Sequence, residues 1–196
     1  MDFIENVGRR SKVKGDTGSL VHVGGQSLNG YESNALYRNA GDGRFVNHGH
    51  VAAVDRKEDA RGLGVSDVDN DGDLDLIVSN YQLPATLLLN PGRPKNHWLQ
   101  VELEGVTSNR DAVGAQVVLH HGGRIQSRQV SATRGYLSGQ SGMLHFGLGE
   151  SDRIELLEVR WPSGLVERVP DVKVDRRLRL VEGRARQEMV QSPADR

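Results

Sequence analysis

The sequence contains no cysteine and only three phenylalanines among its 196 residues. Without cysteine there can be no disulfide framework, no thiolate metal site and no cysteine nucleophile. Long hydrophobic runs are absent too: nothing approaches the roughly 18 apolar residues that mark a membrane-spanning helix. The opening "MDFIENVGRRSKVKGDTG" has no apolar stretch of about seven residues after a basic start, so it does not read as a secretory signal. On that reading the expected location is the cytoplasm, unless the chain is a piece of a longer exported protein. There is also no basic excess. Lys and Arg number 25 against 26 Asp and Glu, for a net charge of -1, which lacks the surplus that drives nucleic-acid or anionic-membrane binding.

What the sequence has is glycine, 24 residues of it, punctuating short apolar runs. Sustained 3.6-residue periodicity is nearly absent, whereas runs of four to eight residues bounded by Gly, Asn, Asp or Pro recur. The pattern predicts an all-β protein with strands near 19–23, 35–39, 43–47, 75–80, 86–90, 97–103, 116–121, 124–130, 143–148, 154–161, 165–169 and 177–182. "HHGGRI" predicts a tight hairpin at Gly122 and Gly123, where positive φ costs glycine little. "NAGDGRF" (39–45) and "WPSGLV" (161–166) read as further hairpin tips. A change of apolar face between Leu156 and Leu157 suggests a bulge. In the second half Leu99, Val101, Leu103, Val117 and Leu119 fall on the alternate positions expected to face a sandwich core.

A weak internal repeat aligns "NALYRNAGDGRF" (34–45) with "ATLLLNPGRPKN" (85–96) at a spacing of 51 residues, close to one propeller blade. After residue 95 the glycine-punctuated style gives way to longer hydrophobic strands. The expected organisation is a repeat region over 15–95, a β-sandwich over 96–183 and a flexible tail over 184–196.

The most informative stretch is "DVDNDGDLD" (67–75), with five carboxylates in nine residues and no Lys or Arg among them. Asp67, Asp69, Asp71 and Asp75 occupy relative positions 1, 3, 5 and 9, with Gly72 at 6 and Asp73 at 7. This spacing turns alternate side chains inward around a hard cation, glycine permits the sharp bend, and a main-chain carbonyl, here that of Asp73, adds a ligand. Oxygen-only donors favour Ca²⁺ over a transition metal. An EF-hand would need a bidentate Glu at position 12, which is Val78 here, and flanking helices where this sequence has strand-forming residues. The alternative is a solvated acidic turn. Against it stands the mutual repulsion of five carboxylates, which a divalent ion would remove.

At these residues the chain resembles the FG-GAP/VCBS repeat family, carried by "LYRNAGDGRF", "EDARGLGVSDVDNDGDLDLIVSN" and "TLLLN". Its second half resembles the ASPIC/UnbV domain in "NHWLQVELEGVTSNRDAVGAQVVL", "RGYLSGQSGMLHFGLGE" and "VRWPSGLVERVPDV". Such domains follow FG-GAP repeats in cartilage acidic protein-like chains and in UnbV-like proteins encoded near enediyne biosynthesis genes. The resemblance implies incomplete propeller-type blades followed by a β-sandwich, with calcium at Asp67, Asp69, Asp71, Asp73 and Asp75, and it transfers no catalytic residue. Residues 1–95 hold at most two blades of roughly 40–60 residues, so the region would be a fragment, a shortened form or an assembling homo-oligomer.

Other constellations are weaker. "HGH" (48–50) and "HH" (120–121) lack a third zinc ligand, and the serines near His145 lack the strand-elbow-helix setting of a hydrolase nucleophile. Arg134 and Tyr136, in a glycine-rich loop, are candidate ligand contacts. Glu58, Asp59 and Arg61 read as an internal ion-pair group, and Trp98 and Trp161 as packing residues. The expected function is a non-enzymatic calcium-binding interaction or scaffold module engaging a protein or glycan. The alternative is an accessory, substrate-binding or resistance protein of natural-product biosynthesis holding a small molecule.

Overall fold

The computed structural model describes residues 3–4, 33–81, 83–92, 95–133, 135, 139 and 142–189. Among them there is no helix, and the protein is all-β. The expected strand over 19–23 lies outside the described residues.

The chain divides into two compact units, one comprising Met1–Leu63 and Ile77–Leu88, the other Gly64–Leu76 and Leu89–Arg196. This division differs from the boundary expected near residue 95, because the acidic stretch belongs with the C-terminal residues. The reason lies in its hydrogen bonds, described below.

In the first unit, β1 (Phe3–Ile4), β2 (Tyr37–Asn39) and β3 (Phe45–Asn47) form an antiparallel three-stranded sheet. The hairpin expected at 39–45 is present: Asn39 pairs with Phe45, and Gly41 and Gly43 turn the chain at positive φ. A further sheet has the order β4 (Ala60–Ser66), β5 (Asp75–Asn80), β6 (Thr86–Leu88), of which residues 64–66 and 75–76 belong to the second unit. The expected ion pair forms between Arg61 and Asp59 at 2.7 Å, and the Arg61 guanidinium also lies over the Tyr81 ring. Glu58 pairs instead with Arg56 and accepts the Thr86 hydroxyl at 2.7 Å and the Asn80 amide at 3.0 Å.

The second unit is a β-sandwich. One sheet has the order β10 (Leu144–Gly149), β7 (His97–Glu104), β13 (Arg176–Val181), β14 (Arg184–Met189). The other has the order β12 (Val166–Val172), β11 (Ile154–Arg160), β8 (Gln116–His121), β9 (Arg124–Gln129). All pairings are antiparallel except β7 with β13, which run parallel and join residues distant in sequence. Residues 184–189, expected to be a flexible tail, form β14: Leu178 and Arg179 offer it a paired edge, and Gly183 makes the turn at φ +74°.

Period-2 alternation accounts for the core. Leu99 and Val101 on β7, Val117 and Leu119 on β8, and Phe146 on β10 are fully buried, and both sheets contribute to one apolar cluster. The five core positions expected from sequence all lie in it. Gly122 and Gly123 make the β8–β9 hairpin, both at positive φ. The irregularity in β11 falls between Ile154 and Leu156, one step earlier than the sequence suggests. Trp161 is buried, with its indole N–H donating to Glu167 at 2.6 Å, as expected of a packing residue.

Candidate metal centre in the acidic loop

The loop between β4 and β5 is built from its own carboxylates. Asp67 Oδ2 accepts the Gly72 amide at 3.2 Å, Asp69 Oδ1 the Asp71 amide at 3.3 Å, and Asp71 Oδ1 the Asp73 amide at 2.9 Å. Aspartate suits this work because its short side chain caps the backbone two residues on. Asn70 and Gly72 take positive φ, 63° and 94°, which completes the tight coil.

Folding this way brings one carboxylate oxygen each of Asp67, Asp69 and Asp71 within 4.8 Å of one another. Asp67 Oδ1 is buried and has no hydrogen-bond partner among the described residues. Asp73 and Asp75 are not members of this group of three. Asp75 is fully buried, its Oδ2 accepting the Val68 amide and its Oδ1 the Asn90 amide, both at 2.8 Å, so it ties the start of the loop to the chain just after β6. The Asp73 carboxylate lies beside Gly92, where a Cβ would come within 1.8 Å of Oδ2. Burial, and then the charge of Asp71, push the Asp73 carboxyl above the usual range, with His145 opposing.

The outer face of β7 and its neighbours carries the loop. Leu99 and Val101 point into the core, so Trp98 and Gln100 point outward. Gln100 is nevertheless only 2% exposed. Its Nε2 donates to Asp67 Oδ2 at 2.7 Å, and its Oε1 accepts from Arg177 Nε of β13 at 3.0 Å. Arg177 also reaches Asn70 Oδ1 at 3.3 Å. His145 of β10 donates from Nε2 to the Gly72 carbonyl at 2.7 Å, which fixes its tautomer. Burial holds the His145 imidazole below its ordinary range, opposed by that carbonyl and by Asp67 and Asp73. The Trp98 indole lies against Gly72, with Nε1 only 1.9 Å from where a Cβ would stand.

The donor chemistry fits a hard cation: three converging carboxylates, an all-oxygen set, and one buried oxygen without a partner. The supporting residues Gln100, His145, Arg177 and Trp98 are not evident from sequence, where only the polarity of Gln100 between Leu99 and Val101 hints that something covers it. Arg134 and Tyr136 lie outside the described residues. His50 pairs with Asp55 at 3.1 Å, and His121 is buried against Gln126.

Comparison with known proteins agrees with this architecture. Residues 105–187 match the family model described as ASPIC and UnbV, and residues 21–78 match that of the FG-GAP-like repeat. The chain is an FG-GAP-like repeat protein carrying an ASPIC/UnbV domain. Among individual relatives it is similar to cartilage acidic protein 1 of Xenopus tropicalis, 32% identical over 160 residues, covering 72% of this chain and 24% of that protein. Cartilage acidic protein 1 of Homo sapiens is 35% identical over 114 residues, covering 54% of this chain and 17% of that protein. The chain thus spans about a quarter or less of the length of these relatives.

Proposed function

We propose that the protein is a calcium-binding, non-enzymatic interaction or scaffold module in which Ca²⁺ orders the 67–75 loop. The observation that carries this reading is the buried, partnerless Oδ1 of Asp67, a residue whose carboxylate groups with those of Asp69 and Asp71. Buried polar oxygens are rarely left unsatisfied, and three carboxylates this close repel one another at neutral pH. A divalent ion answers both. Asp67, Asp69 and Asp71 would hold it, with the Asp73 carbonyl as a further oxygen. Asp75, already accepting two backbone amides, would set the frame.

The loop's hydrogen bonds to β7, β10 and β13 give the ion a structural consequence. Ordering the loop fixes a patch on the outer face of the sandwich, and that surface is the one proposed to engage a protein or glycan. The test is a thermal melt in EDTA, then in millimolar Ca²⁺ or Mg²⁺. Ligand binding to the folded state raises the melting temperature in proportion to the logarithm of ligand over Kd. A calcium-specific rise that Asp71→Ala removes is the expected result; equal melts of the wild type with and without Ca²⁺ would sink the reading.

A further inference from the structure

Gln100 is a glutamine on the solvent-facing side of β7 and yet is almost entirely buried, at 2% exposure. Its two partners leave its orientation no freedom. Asp67 Oδ2 can only accept and so takes the Nε2–H at 2.7 Å; Arg177 Nε can only donate and so gives to Oε1 at 3.0 Å. The result is a relay from a guanidinium on β13, through an amide on β7, to the first carboxylate of the loop. Because Oδ2 of Asp67 is engaged by Gln100 and by the Gly72 amide, the carboxylate cannot rotate, and Oδ1 is the oxygen left without a partner.

We infer that Gln100 is a positioning residue for the cation of the acidic loop: it fixes the Asp67 carboxylate with Oδ1 free for the ion, and Arg177 fixes Gln100. This rests on the calcium reading of the loop and adds to it that the ASPIC/UnbV sandwich, through β7 and β13, sets the ion's affinity. Groups that orient metal-binding carboxylates typically change metal affinity by about 10- to 100-fold when removed.

The experiment titrates Ca²⁺ into the full chain by calorimetry and measures melting in EDTA and in saturating Ca²⁺, for wild type, Gln100→Leu, Gln100→Asn and Arg177→Met. The asparagine variant keeps an amide too short to span both partners, and so serves if the leucine variant does not fold. The expected result is a Kd weaker by about 10- to 100-fold for both Gln100 variants. Arg177→Met should show a smaller loss in the same direction, and the calcium-induced rise in melting temperature should shrink in every variant. A purely structural role would lower the EDTA and Ca²⁺ melts equally and leave Kd within twofold of wild type, which would overturn this inference while leaving the calcium site intact. A wild type that takes up no Ca²⁺ would overturn both.

Discussion

Glu182 holds Ser108 twice: its Oε2 accepts the Ser108 amide at 2.7 Å and its Oε1 accepts the Ser108 hydroxyl at 2.9 Å. Oε2 also takes the amides of Val106 and Thr107, and Oε1 the Ser163 hydroxyl, so one buried carboxylate organises two loops of the sandwich. Burial alone would raise its pKa, but the hydrogen bonds from Ser163, Ser108 and Val106 prevail and lower it from 4.5 to about 2. Because the folded value lies below the unfolded one, the stabilisation is present above about pH 4.5 and is lost as pH falls toward 2. Glu158, held low first by Arg160 and also by Arg168, adds in the same direction. Acid titration followed by circular dichroism should show wild type losing stability through that window. Glu182→Gln should melt lower at neutral pH, with a flatter acid limb.

Substitutions within the acidic loop should separate ligands from frame. Asp69→Asn and Asp71→Asn remove exposed charges and should leave the melt in EDTA unchanged or slightly higher, while abolishing the rise on adding Ca²⁺. Asp75→Ala instead orphans the Val68 and Asn90 amides and should cost about 1–3 kcal/mol for each in EDTA and Ca²⁺ alike. Urea unfolding in both conditions distinguishes the two patterns.

Gly72→Ala should be among the most disruptive single changes. The residue sits at φ +94°, and a methyl group would meet the Trp98 ring at 1.9 Å. Left-handed strain together with overpacking puts the loss at about 2–5 kcal/mol. The Trp98 indole should move off the loop, so its fluorescence should shift to the red even before global unfolding.

Core truncation gives a reference for these effects. Phe146 is fully buried on β10 beneath the Arg128 guanidinium, and Phe146→Ala should cost about 3–5 kcal/mol by chemical denaturation, independently of Ca²⁺.

Much of this architecture is legible in the sequence because alternation is local. Leu99, Val101 and Leu103 declare a buried face by spacing alone, and Gly122–Gly123 declares a hairpin. The acidic spacing likewise brings Asp67, Asp69 and Asp71 together, since aspartates that cap the backbone two residues on coil the chain by themselves. What sequence does not disclose is long-range. Nothing in "HWLQV" tells that Gln100 will meet a carboxylate 33 residues earlier and a guanidinium 77 residues later. Nor does local composition show that "GRARQEM" would find the open edge of β13, because a strand with few apolar residues depends on the pairing its neighbour provides.

The parallel ladder between β7 and β13 also dictates an order of assembly. Parallel neighbours cannot be joined by a tight turn, and here 71 residues separate the end of one strand from the start of the other. On the ribosome, β7 would emerge and wait until residue 181 has been made before its inner neighbour exists. Until then its edge is open, and the sheet that carries the acidic loop is unfinished. The β8–β9 and β11–β12 hairpins can form early from local contacts, whereas the face that supports the proposed ion site is completed only after residue 181 has been made.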